Sequence, residues 1–209
     1  MPRGRAPVPV SAALGELAEA EARLAELPGG AWGRQAAATV RRLAFVKVGL
    51  IGSPPGPDVA ARLRRIATVC GCDAQGGPRL IVAVYADGPA VGAPSPTAVL
   101  DWLEAAGPDA IGVGGVLLDT ADKRSAGVFG RGTIADWKEL ADRVRRLGLV
   151  FTLGGRLSAD DGDRIRAVGP DVAAFRSAAT DGDRDGPVTT DRVRRLVESF
   201  ATVPSVSPR

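Results

Sequence analysis

Of the 27 basic residues in this 209-residue chain, three are lysines: Lys47, Lys123 and Lys138. Arginine serves wherever a generic positive charge is needed. A retained lysine is therefore a candidate for what arginine cannot do, because a guanidinium stays protonated near neutral pH and cannot act as a nucleophilic amine. Lys47 sits inside the apolar run FVKVGL. Asp119 ends the run VGGVLLD, and Lys123 follows four residues later. Two lysines and an aspartate on strand ends suit carbonyl chemistry. An amine of depressed pKa attacks an aldehyde or ketone to give a Schiff base, a second cation lowers that pKa, and a carboxylate or amine moves protons. A lysine in a buried strand must be paired, neutral, or directed into a water-filled site. The competing readings are a snorkelling or salt-bridged Lys47 and a loop salt bridge between Asp119 and Lys123. Lys138, beside Glu139 and Asp142, reads as a surface helix residue.

A second group of polar residues also ends apolar runs. Asp87 ends LIVAVYAD, Gly154 and Gly155 end FTLGG with Arg156 next, and Arg176 and Ser177 end AAFRS. The two glycines precede a helix expected from Ser158, which would leave backbone N–H groups at a helix N-terminus as an anion site. A plain tight turn is the other reading of the pair. Asp87, Gly154, Gly155, Arg176 and Ser177 are thus candidates for binding a substrate and its phosphate.

Composition removes several classes. The chain has no histidine, so Ser-His-Asp and Cys-His catalysis and every histidine-based metal site are excluded. Cys70 and Cys72 form a C-x-C pair, which is neither a C-x-x-C redox motif nor half of a usual zinc site, and they read as buried or incidental thiols. The net charge is +3 and aromatic residues make up 4%. The arginines fall mostly in helix-face pairs such as Arg41-Arg42, Arg64-Arg65 and Arg145-Arg146, so a solvated surface is expected rather than a nucleic-acid stripe. No stretch approaches the ~18 uncharged apolar residues of a membrane span. Prolines interrupt the short N-terminal apolar run, no signal peptide is read, and a cytoplasmic protein is expected.

The elements that must position these residues alternate. Apolar runs at 8–14, 44–50, 80–86, 110–118, 149–153 and 172–175 lack period-2 polarity, as expected of strands buried on both faces. Helical patterns fall at 14–27, 57–70, 97–106, 133–147, 158–168 and 190–201, and the last eight residues read as a polar tail. The fold class is therefore α/β with a parallel sheet of the (β/α)8 TIM-barrel type. With about six βα units where such a barrel takes ~250 residues, it is an incomplete barrel in one domain over 1–201, with 202–209 as tail. In such a barrel the βα loops at the C-terminal strand ends hold the active site, and those are the places where the polar residues cluster. Neither G-x-G-x-x-G nor a Walker-type loop occurs.

The stretches PVSAALGEL (9–17), FVKVGL (45–50), VAVYAD (82–87), LLDTADK (117–123), TLGGRLSADD (152–161) and FRSAATDGDRDGPV (175–188) resemble the (5-formylfuran-3-yl)methyl phosphate synthase family of methanofuran biosynthesis. They follow the family's order over nearly the whole chain. The resemblance implies a (β/α)8 barrel that condenses two molecules of glyceraldehyde 3-phosphate into a furan aldehyde phosphate, losing phosphate and water. It implies lysine Schiff-base chemistry without a metal or other cofactor. Lys47 matches the family's general base, and Asp119 and Lys123 its other active-site polar pair. The expected partner is a small phosphosugar, with no nucleic acid and no membrane; a homo-oligomer stays open.

The chain departs from the family in three places. Nothing in residues 1–11 matches its earlier D-x-K-x-P segment, whose lysine is the expected Schiff-base former, so the resemblance implies that the family's first two βα units are the ones not represented in this sequence. A misassigned start is favoured; an inactive truncation and transfer of the nucleophile role to Lys123 are the alternatives. The glycine loop reads GGR, and the last motif reads FRSAAT. Two other functions remain: another phosphosugar-binding barrel aldolase or epimerase, and an inactive homologue that acts as a partner subunit through an exposed sheet edge.

Overall fold

A computed structural model of the chain describes residues 9–26, 38–122, 124, 126–181 and 185–201. Lys123, the first eight residues and the expected tail at 202–209 lie outside them. Within the described residues six strands form one sheet in sequence order: β1 (Ser11–Glu16), β2 (Phe45–Gly49), β3 (Arg79–Tyr85), β4 (Val113–Asp119), β5 (Val150–Leu153) and β6 (Val172–Ala173). Every adjacent pair is parallel. β1 and β6 stand at the two edges, so the sheet does not close.

Helices α1 (Leu17–Ala25), α2 (Pro57–Cys70), α3 (Pro96–Ala106), α4 (Pro108–Ile111), α5 (Ile134–Arg146), α6 (Gly162–Val168) and α7 (Thr190–Ala201) lie between or after the strands. Right-handed crossovers that always advance in one direction leave their helices on one face. The packing agrees: Val46 and Val48 of β2, Leu80, Val82 and Val84 of β3, and Phe151 and Leu153 of β5 share one core with Leu63 and Ile66 of α2, Leu100 and Leu103 of α3, and Val144 of α5. A smaller cluster, Ile81, Ala83, Tyr85, Ala93 and Leu117, covers part of the opposite, inner face. This is the singly wound arrangement of a barrel left open, with six strands in place of eight.

Local chemistry explains the helix bounds. α2 opens on Pro57 at its first turn and ends at Gly71, whose φ of 74° suits a left-handed cap. Ser95 caps α3 through the amide of Ala98, and Thr133 and Asp136 form a capping box on α5. Several of the expected elements are shorter than the sequence suggests, among them the helix expected over 14–27, which runs over Leu17–Ala25. β6 has two residues rather than four, and the helix expected from Ser158 starts as a 3-10 turn (Ala159–Asp161) before the seven-residue α6. No helix among the described residues is long and apolar enough to cross a membrane.

Candidate functional site

Pairing register sets the rows of the inner face. Lys47 on β2 is opposite Ala13 and Ile81; Gly49, two residues on, is opposite Glu16 and Ala83; Tyr85 is opposite Asp119. Side chains alternate along each strand, so Val46 and Val48 face the helices while Lys47 and Gly49 face inward. Above these rows, at the C-terminal ends of the strands, opens a cavity of about 940 Å³ lined by Glu16, Lys47, Tyr85, Asp119, Arg156 and Arg176 among others.

The first strand reaches this cavity by an irregularity. Ala13 pairs with Lys47 but the next partner of β2, Gly49, pairs with Glu16, so three steps on β1 match two on β2. Gly15, with φ of 94°, takes up the extra residue. A bulge of this kind re-aims the side chain beside it, and here it turns Glu16 into the inner face. There Glu16 Oε1 accepts the Tyr85 hydroxyl at 2.5 Å and Oε2 accepts the Ile51 amide at 2.8 Å. The pair spans β2 directly over Gly49, where a Cβ would overlap both carboxylate oxygens and the Tyr85 hydroxyl oxygen. Burial, then the hydrogen bond to Glu16 and the charges of Glu16, Asp119 and Asp87, push the Tyr85 phenol far above its ordinary range.

Of the residues singled out in the sequence, Lys47, Asp119, Gly154, Gly155, Arg176 and Ser177 all line the cavity. Lys47 is half-buried, and among the described residues no hydrogen bond or ion pair reaches its amine. Asp119 accepts the amide of Thr120 through Oδ1 at 2.7 Å. Arg176 pairs with Asp185 at 2.7 Å. Lys138 is the expected surface residue, paired with Asp142 at 2.7 Å.

Two expectations change. Asp87 does not line the cavity. It is 5% exposed, and its two oxygens accept the amides of Ala121 (2.8 Å) and Asp122 (2.9 Å). Burial pushes its pKa up, but these amides, its own amide and the charge of Arg131 outweigh that and hold the carboxyl below the usual aspartate range. Asp87 thus anchors the loop that follows β4 through backbone amides. The amide of Gly154 is also engaged within the sheet rather than turned to an anion. The Gly154 amide donates to Leu118 O at 2.8 Å as part of the sheet, the Gly155 carbonyl accepts Val128 N at 2.9 Å, and Ser158 and Asp161 cap the 3-10 turn themselves. Gly155 has φ of 86° and Arg156, the one non-glycine with positive φ among the described residues, has φ of 58°. This two-residue left-handed turn carries Arg156 to the cavity, where Arg124 and Arg176 also stand on the lining.

Sequence reasoning passed over Glu16 and Tyr85. A signal existed for each: Tyr85 is the single tyrosine of the chain, and Glu16 is an acid at the end of an apolar strand. Among the described residues no group of three or more His, Cys, Asp or Glu side chains is placed to hold a metal ion. Cys70 and Cys72 are both free thiols remote from the cavity lining.

Comparison with known proteins places these features in a family. The sequence profile of 4-HFC-P synthase matches residues 3–197. The chain is 24% identical over 155 residues to (5-formylfuran-3-yl)methyl phosphate synthase of Archaeoglobus fulgidus, covering 74% of this chain and 63% of that protein. It is 28% identical over 208 residues to a protein of Streptomyces griseus named as a putative (5-formylfuran-3-yl)methyl phosphate synthase, covering 95% of this chain and 78% of that one. Among solved structures, one described as native KDPGal aligns with TM-score 0.40 and 12% identity, covering 94% of each chain. Thiamine phosphate pyrophosphorylase from Pyrococcus furiosus aligns with TM-score 0.34 and 14% identity, over 91% of this chain and 96% of the other. With a profile match over residues 3–197, this chain belongs to the 4-HFC-P synthase family.

Proposed function

We propose that the chain forms (5-formylfuran-3-yl)methyl phosphate, a furan precursor of methanofuran-type cofactors, from two molecules of glyceraldehyde 3-phosphate through a lysine Schiff base. The observation that carries this reading is Lys47: an amine inside a parallel strand, half-buried, directed into a cavity of about 940 Å³ that it shares with Asp119. A primary amine in a sheltered polar cavity adds to an aldehyde carbon to give a carbinolamine. Loss of water then gives the imine, and a carboxylate of the same cavity moves the protons of both steps. Arg156 and Arg176 give the cavity the cationic groups that a phosphate needs. Membership of the 4-HFC-P synthase family supports this reading.

The test is reductive trapping. The purified chain is mixed with glyceraldehyde 3-phosphate, reduced with borohydride, and read by intact mass and peptide map. The expected result is a stable adduct on Lys47 or Lys123 and, on prolonged incubation without reductant, release of inorganic phosphate with a furan aldehyde absorbance. A folded chain that gives neither adduct nor product overturns the reading.

A further inference from the structure

We propose that Glu16 and Tyr85 form a hydroxyl-recognition site on the cavity wall, which selects a hydroxylated phosphate monoester by accepting a hydrogen bond from its hydroxyl. This rests on the phosphosugar reading above and adds residues to it. Three features of the chain converge on the pair. The β1 bulge at Gly15 turns Glu16 inward. Gly49 leaves the space over β2 in which the carboxylate and the phenol meet. The Ile51 amide fixes the second carboxylate oxygen at 2.8 Å. Both side chains then line the cavity beside Lys47 and Asp119.

The donor and acceptor count fixes what the pair can recognise. A phenol has one proton and a carboxylate none. The Tyr85 proton is committed to Glu16 Oε1, and burial together with the neighbouring acids keeps the phenol protonated. What remains toward the cavity is acceptor capacity alone: lone pairs of the phenol oxygen and of the carboxylate. Such a wall repels a phosphate and accepts hydroxyl protons. The cationic groups at Arg156 and Arg176 have the opposite preference. A ligand that carries a phosphate and, a carbon or two away, a free hydroxyl satisfies both, in one orientation.

A purely structural role, in which the pair only ties β1 to β3 across β2, predicts no change in ligand preference. The experiment therefore compares two phosphate monoesters of similar size and equal charge, glycerol 3-phosphate and n-propyl phosphate, by calorimetric titration of the full chain. Wild type is expected to prefer glycerol 3-phosphate about tenfold, the worth of one hydrogen bond to a charged acceptor. Tyr85→Phe and Glu16→Gln are expected to bring that ratio to about two or less while n-propyl phosphate affinity stays within about twofold. Gly49→Ala, which displaces the pair without altering either member, is expected to do the same. Circular dichroism verifies folding, and Tyr85→Phe, the smallest change, decides if another variant fails to fold. Equal binding of the two ligands by wild type, or a preference that survives in the folded variants, overturns this inference and leaves the phosphate reading standing. Binding of neither ligand overturns both.

Discussion

Asp87→Asn is the perturbation whose effect follows most directly from the structure. The buried carboxylate accepts two amides, Ala121 N and Asp122 N, at 2.8 and 2.9 Å. Asparagine keeps the shape but exchanges one acceptor oxygen for an NH2 donor, so one amide loses its partner and faces a donor. A buried donor left unsatisfied costs about 1–3 kcal/mol, and loss of charge from the surviving bond adds about 1 kcal/mol. The sum is about 2–4 kcal/mol. For a chain of this size each kcal/mol moves Tm by about 2–4 °C, so a fall of about 4–16 °C is expected. The pH dependence has a definite sign. The folded carboxyl is held below its ordinary value of 3.8, so its contribution is complete above 3.8 and fades as pH drops through the lower folded value. Thermal unfolding of wild type and variant, followed by circular dichroism, should therefore show a constant gap from about pH 5 to pH 8 that narrows below the ordinary aspartate range. Because the anchored loop carries Asp119 to Asp122, trapping with glyceraldehyde 3-phosphate should weaken as well. A variant within about 0.5 kcal/mol of wild type at neutral pH would refute the anchoring role, and so would a gap that widens on acidification.

Lys47→Arg keeps the charge and removes the capacity for imine formation, so any borohydride-stable adduct at residue 47 should vanish from the peptide map while Tm stays within a few degrees. Phe151→Ala removes the largest fully buried side chain, and chemical denaturation should register a loss of about 3–5 kcal/mol. Trp137→Phe removes the indole bond to Val128 O at 3.2 Å and should cost about 1–2 kcal/mol in the same assay. Burial, followed by the charges of Cys70 and Asp73, pushes the Cys72 thiol up to about 12, and burial raises Cys70. Ellman's reagent at pH 8 should accordingly label the native thiols about a hundredfold or more slowly than the urea-unfolded ones.

The helices with strong boundary chemistry were legible in the sequence. α2, with proline at its start and glycine after its end, and α7 have the expected limits. The sheet's parallel character followed from apolar runs without alternation. The first strand was not placed correctly: it was expected over 8–14 and runs over Ser11–Glu16, with Val10 58% exposed. Hydropathy registers apolar side chains, and the extra residue at Gly15 that carries the strand on to Glu16 leaves no hydropathic trace. The site divides in the same manner. Lys47 could be read because a charge in an apolar run is itself an anomaly. The role of Asp87 could not, because its partners are backbone amides 34 and 35 residues away in the chain. Gly154 and Gly155 were read as free donors, yet strand pairing claims the Gly154 amide, a fact of register rather than of residue type.

Register also accounts for why there is a cavity at all. The interior of a complete barrel is normally filled with branched side chains in layers. On this sheet two of the inner-face contacts instead lie over a glycine of the adjoining strand. Glu16 and Tyr85 meet over Gly49, and Ile81 fills the position opposite Gly115, where a Cβ would lie 2.5 Å from Ile81 Cδ1 and 2.7 Å from Val150 O. Glycine is depleted within strands because it adds no packing and weakens the pleat, so its place there usually marks a close approach. Both inner-face glycines are explained by such an approach, whereas the facing rows of β2 and β3 under the helices are Val46, Val48, Leu80, Val82 and Val84. The sheet thus keeps its bulk on the helix side, and its inner face holds the polar groups at fixed heights above Lys47.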